Sequence, residues 1–305
     1  MMLQVGVARV DLTPYWGVEL TGWGYYMERR WQRIHDRLSA TALVAQHDGQ
    51  VAVLITLDLM VIDTVFTQRT RTRIAEATGI AASSILLTCS HSHNAPASGG
   101  LLGVGECDPF YEEWASRQAA TAAILAWNQR QPATFRSNAI DVPDISFNRT
   151  RPHGVVDSLL TVLRVDRADG RPLAVVANFG AHPTVATDLR PWDVSRDIPG
   201  VVTDGLEAAF PGATALYVQG ACGDTNFHRE FMTASRWREP GERLITVTTQ
   251  LLRDANPATE STVRVDQRMA MLPTRRWTEE ELMVGRREAE RRLVAKDSAN
   301  WRETI

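Results

Sequence analysis

Residues 41–57 read TALVAQHDGQVAVLITL, and this stretch decides the fold class. Two apolar runs, 41–46 and 51–57, flank Asp48-Gly49, a dipeptide suited to the positive backbone angles of a two-residue hairpin turn. Immediately downstream, 64–78 changes to helical periodicity, and 85–88 returns to a short apolar run of the kind a buried strand shows. The alternation continues outward. Upstream, residues 3–10 read as a strand. Downstream, 110–127 reads as a helix, and strands follow near 133–140, 159–166 and 172–179. A helix is expected over 199–210, with Pro199 in its first turn. A strand over 216–219 and a helix over 242–254 complete the series. Alternating strands and helices predict an α/β protein with layered β-sheets flanked by helices and a mixed strand order.

The last fifty residues read differently. Thr262 to Met271 alternates like a strand, and Thr278 followed by Glu281 is a capping-box pattern opening a charged helix that runs through residue 293. Trp301 to Ile305 supplies no evident closing element. The expectation is a catalytic region over residues 1–257, with 258–305 beginning the rest of the same domain in a truncated chain.

Composition narrows the function classes. The 305 residues carry a net charge of -3, which gives no footprint for nucleic acid. No apolar run reaches the ~18 residues of a membrane span. The N-terminus begins on a strand pattern without a basic and apolar leader, so a cytoplasmic location is expected. Three cysteines, Cys89, Cys107 and Cys222, are too few for a disulfide scaffold, and none lies in a CxxC pair of the kind that builds thiolate zinc sites. Cys89 reads as a small residue ending a core strand. No HExxH, GxSxG, Walker or GxGxxG motif is present, which weakens thermolysin-like, serine-hydrolase and nucleotide-binding readings.

Six motifs remain that can carry chemistry. Thr88-Cys89-Ser90-His91-Ser92-His93-Asn94-Ala95-Pro96 follows an apolar strand and enters a loop rich in glycine. Histidines two apart in extended backbone point to one side, so His91 and His93 could share a metal or divide roles. Phe179-Gly180-Ala181-His182-Pro183-Thr184 repeats the arrangement of a strand running into a histidine. Gln219-Gly220-Ala221-Cys222-Gly223-Asp224 allows close backbone approach, and Asp224 could orient a ligand histidine or simply form a turn. Ile34-His35-Asp36 precedes the hairpin, and Asp58 ends its second strand. Asn148-Arg149-Thr150 offers a guanidinium for an oxyanion or carbonyl oxygen.

Together with Gly6-Val7-Ala8-Arg9-Val10-Asp11-Leu12-Thr13-Pro14, these motifs resemble, in order and rough spacing, the N-terminal domain of the neutral/alkaline (non-lysosomal) ceramidases over about residues 3–230. That family holds a catalytic zinc with two histidines, a glutamate and a tyrosine. The resemblance implies that His91 and His182 are zinc ligands, that His93 serves catalysis and that Arg149 lines the substrate site. His35, Asp58 and Asp224 are candidates to support the ligands from behind. No position here matches the glutamate and tyrosine motifs, so the resemblance implies half a ligand set. Asn94-Ala95 replaces the family's Ser-Gly. The implied activity is hydrolysis of an amide, the N-acyl bond of ceramide or a related lipid, by a metal-activated water. The competing readings are a non-enzymatic domain binding a ligand or partner, and a metal-dependent hydrolase of a non-lipid amide or ester.

Overall fold

The computed structural model describes residues 2–22, 28–101, 103–187, 189–258, 262–268 and 270–295. In chain order the first half contains β1 (Gln4–Asp11), β2 (Arg33–Ile34), β3 (Ser39–His47), β4 (Gln50–Leu57), α1 (Thr64–Thr78), β5 (Ile85–Cys89) and α2 (Pro109–Asn128). The second half contains β6 (Gln131–Asp141), β7 (Ser146–Asn148), β8 (Leu159–Arg167), β9 (Pro172–Phe179), β10 (Asp193–Val194), α3 (Asp197–Ala209), β11 (Thr214–Gln219), β12 (Thr225–Phe227), α4 (Glu239–Asp254) and α5 (Glu279–Ala295).

The expected hairpin is β3–β4, closed by His47 opposite Gln50. Asp48 and Gly49 take φ of 46° and 78°, the double positive φ of a type I′ turn. Helix α1 starts where the Asp63 carboxylate accepts the Phe66 N–H and ends at Gly79 in the left-handed region. Asp108 caps α2 in the same way, with Pro109 in its first turn.

Eight strands form one hydrogen-bonded array in the order β11-β9-β8-β6-β1-β3-β4-β5. The pairs at its two ends, β4–β5 and β9–β11, are parallel, and the pairs between them are antiparallel. The array folds over at β6. The first residues of β6 pair with β1, and Ala133 to Asp141 pair with β8. Two half-sheets therefore face each other, and the Arg9 guanidinium reaches from β1 to the Ala215 carbonyl on β11 at 2.7 Å.

Side-chain alternation writes the layers. Val5 and Val7 of β1, Leu43 of β3, Val176 of β9 and Leu216 of β11 fill the space between the half-sheets. The opposite faces, Ala42, Val53 and Ile55 on one half and Val175, Ala177 and Tyr217 on the other, meet α1–α2 and α3–α4 respectively. The architecture is thus four-layered, helix/sheet/sheet/helix, which realises the expected layered α/β class with mixed strand order.

The expected strand over 262–271 does not form among the described residues, and Met269 lies outside them. Alternation makes a strand only where a neighbour offers a ladder, and among the described residues no backbone hydrogen bond ties 262–268 to another element. Val263 packs against the core between the sheets. The capping box does form: the Glu281 carboxylate accepts the Thr278 N–H at 2.8 Å, and Thr278 Oγ1 accepts the Glu281 N–H at 3.2 Å. Residues 296–305, including Trp301 to Ile305, lie outside the described residues. Among the described residues, no helix is long and apolar enough to cross a membrane.

Candidate metal centre

The carboxyl ends of both parallel pairs converge. Beyond β4 the chain runs beside the segment leaving β5, tied by Ser90 N–H to Leu57 O at 2.8 Å and His91 N–H to Leu59 O at 3.0 Å. On the other half-sheet, β9 leads into His182 and β11 into Cys222. Strands β5 and β11 approach each other across the fold, so segments far apart in sequence share one rim.

Three imidazoles meet there. His91 Nε2 lies 3.0 Å from His182 Nε2 and 3.5 Å from His93 Nε2. Each ring is turned by the same device, a backbone carbonyl at its other nitrogen. His91 Nδ1 donates to Met60 O at 2.8 Å, His93 Nδ1 to Gly22 O at 3.0 Å and His182 Nδ1 to Cys222 O at 2.7 Å. A carbonyl can only accept, so each Nδ1 carries the hydrogen and each neutral ring directs its Nε2 lone pair inward.

Burial keeps the rings neutral. It lowers the pKa of His91 below the ordinary histidine value, with the Arg149 charge adding to the effect. It holds His93 well below that value, helped by the neighbouring histidines. It brings His182 down to about 4 against the opposing pull of its bond to the Cys222 carbonyl. Lone pairs of neutral imidazoles 3.0 Å apart repel unless a cation lies between them. Two nitrogens on one tetrahedral zinc, each at about 2.0–2.1 Å, stand about 3.3 Å apart. The observed 3.0 and 3.5 Å bracket that spacing, so the residues fit a metal ion of this kind. The ligand atoms of His91, His182 and Cys222 all lie within 4.8 Å of one another. His91 itself sits at φ 64°, a strained conformation for a side chain of its size, as functional positions often are.

The other expected residues fall in different places. Arg149 follows β7, which pairs with β12, and its Nε and Nη2 donate to the Gly223 carbonyl at 3.1 and 2.8 Å. It therefore sits beside the histidines, within reach of their electrostatics. Asp224 does not hold a histidine: its carboxylate accepts the Asn148 amide at 2.9 Å and its carbonyl accepts the Arg149 N–H at 2.7 Å. It shapes the strand pair that carries Arg149. Asp58 accepts the Ser39 N–H and hydroxyl, both at 2.8 Å, and so fastens the end of β4 from which Met60 extends. His35 contacts Arg190, Asp36 and the Trp237 ring instead of the imidazole cluster.

Sequence reasoning missed the backbone carbonyls of Met60, Gly22 and Cys222, which no motif can reveal, and the Cys222 thiol. The thiol had a readable signal. It sits between Gly220 and Gly223 just past a strand, in a motif singled out for its glycines and for Asp224.

The turn after His182 depends on Asp197. Its carboxylate accepts the Ala186 and Ile198 N–H groups, each at 2.7 Å. Burial raises its pKa to about 6, with the Asp36 charge adding to the rise. Folding thus takes up a proton at Asp197. The contribution to stability is complete below the ordinary value of 3.8 and is lost as pH rises through about 6; it amounts to on the order of 1–3 kcal/mol. Asp197→Asn cannot titrate, so chemical denaturation should show the native chain losing its advantage over the variant across that window. A difference independent of pH would contradict the assignment.

No protein-family model matches this chain, and no curated protein sequence is similar to it. Solved structures are similar. The neutral ceramidase from Pseudomonas aeruginosa superposes with a TM-score of 0.74 at 19% identity, over 83% of this chain and 45% of that one. A ceramidase complexed with C2 gives 0.73 at 20% identity, over 83% and 44%. The shared property is the fold, and the chain spans less than half the length of these proteins.

Proposed function

We propose that the chain carries the metal-binding portion of a zinc-dependent hydrolase that cleaves an amide, with the N-acyl bond of ceramide or a related N-acyl lipid as substrate class. The observation that supports this reading is the convergence of His91 and His182, Nε2 to Nε2 at 3.0 Å, each ring fixed from behind by a carbonyl. The fold shared with solved ceramidases supports the choice of bond and substrate class.

His91 and His182 would hold the ion through Nε2. When bound, zinc lowers the pKa of water toward about 7 and polarises a carbonyl group. His93 is assigned the proton work. With its Nδ1 hydrogen fixed on the Gly22 carbonyl, its Nε2 takes the proton of the attacking water and delivers it to the departing nitrogen. The carbon–nitrogen bond breaks, and an acid and an amine leave. Arg149, charged and half-buried beside the histidines, is assigned to the polar head of the substrate.

The test is acid release from an N-acyl sphingosine, a short N-acyl amide and an ester by the zinc-loaded protein. Release from the amides should cease on chelation and return with zinc. A protein that binds zinc stoichiometrically and releases acid from no amide would refute the proposal.

A further inference from the structure

Each imidazole of the cluster is aimed by its own carbonyl, and for His93 that carbonyl belongs to Gly22. Gly22 needs a hold of its own. It sits at φ 107°, in the region that glycine alone visits freely, and it lies directly against the ring: a Cβ there would stand 2.5 Å from His93 Nδ1. We infer that the buried guanidinium of Arg29 is that hold, and that Arg29 is a positioning residue for His93. The inference rests on the proton role given to His93 above, and it adds a residue that lies outside the six motifs.

The geometry carries the argument. Arg29 is wholly buried. Its Nη2 donates to the Thr21 carbonyl at 2.6 Å and also to the carbonyl of His93. One nitrogen thus ties the backbone of His93 to the residue that precedes Gly22. Those are the two ends of the bond from His93 Nδ1 to the Gly22 carbonyl, so the guanidinium closes a loop of contacts of which the imidazole is the last member. The frame around it is fixed as well. Leu20 N–H donates to the Arg29 carbonyl at 2.7 Å, and Thr21 N–H donates to the Ala95 carbonyl at 3.0 Å. Arg29, segment 20–22 and segment 93–95 therefore move as one piece.

The chemistry agrees. A guanidinium is costly to hold away from water, and hydrogen bonds from a charged donor are stronger than those between neutral groups. Arg29 directs such bonds to the carbonyls that carry and face His93. The other two imidazoles do not depend on it, since His91 is turned by the Met60 carbonyl and His182 by that of Cys222. Loss of Arg29 thus frees one ring and leaves the other two in place. With the Gly22 carbonyl adrift, His93 can carry its hydrogen on Nε2, where no lone pair then remains for the proton of the attacking water. The wrong tautomer stops proton transfer and leaves the binding of substrate and zinc as before.

The experiment compares the 305-residue chain with Arg29→Met, which has a similar reach and no donor. In the zinc-loaded variant, kcat for acid release from an N-acyl sphingosine should fall by about 100-fold, with KM and zinc affinity within about twofold of native. Arg29→Lys keeps a charged donor on a shorter stem that reaches one carbonyl, so it should recover part of that loss. A second readout needs no turnover. Nitrogen NMR of the histidine-labelled, metal-free chain at neutral pH should show native His93 with its hydrogen on Nδ1 only. Arg29→Met should show a mixture of tautomers at His93, with His91 and His182 unchanged. Native kcat in Arg29→Met, or a single His93 tautomer there, would overturn the positioning role. So would a loss confined to KM or zinc affinity, which marks a merely structural residue. If Arg29→Met does not fold, Arg29→Lys decides by the same two readings, native values again overturning the role. A native chain that releases no acid from any amide overturns the hydrolase reading instead, and the spectra still decide the role of Arg29.

Discussion

His182→Ala is expected to reduce zinc affinity by more than about 100-fold, beyond what removal of a group behind a ligand costs. The buried ring stands 3.0 Å from its partner nitrogen, and its tautomer is set by a 2.7 Å bond, so no other side chain on its loop can replace the donor. The effect should appear in metal content after dialysis and in competition with a chromophoric chelator. His91→Ala should match it, because the two nitrogens form one site. His35→Ala is the control. Its ring contacts Arg190, Asp36 and Trp237, so that variant should keep its zinc. Retention of native affinity in both ligand variants would sink the centre as drawn.

The largest loss of stability is expected from Gly6→Ala. Gly6 lies on β1 beneath α2, and a Cβ there would overlap the carbonyl oxygen of Ala126, a backbone atom that cannot rotate away. The facing side of α2 is a run of small residues, Ala115, Ala119, Ala122, Ala123 and Ala126, all fully buried, which lets the helix lie close on the sheet. Adding a methyl group forces the helix outward and opens gaps along that face, a change costing about 3 kcal/mol. For a domain of this size the melting temperature should fall by roughly 6–12 °C. A variant melting within a degree or two of the native chain would mean that α2 is not so tightly seated.

Those two residues show what the sequence made legible and what it did not. The hairpin around Asp48-Gly49, helix α1 and strand β9 were readable because local chemistry decides them: turn angles, caps and apolar period. The histidines were readable because each ends such a strand. The 262–271 pattern misled because a strand needs a partner, and pairing is decided at long range. The close seat of Gly6 on α2 and the meeting of β5 with β11 are also long-range facts. So is the support of each ring by a carbonyl from a distant segment: Met60 is 31 residues from His91 and Gly22 is 71 from His93. The Cys222 carbonyl stayed hidden because it reaches His182 only once β9 and β11 lie side by side.

The two facing histidines come from opposite half-sheets, His91 from the strand beside β4 and His182 from the strand beside β11. An ion held between them would therefore be a clasp across the fold. With the ion bound as proposed, any motion that peels the half-sheets apart at this rim would first have to break a metal bond. Binding to the folded chain alone adds about 2.7 kcal/mol at a ligand concentration 100 times Kd and about 4.1 kcal/mol at 1,000 times. If zinc binds there as proposed, occupancy would be written into the melting curve, and the chain's resistance to heat and proteolysis would follow the zinc supply of its surroundings.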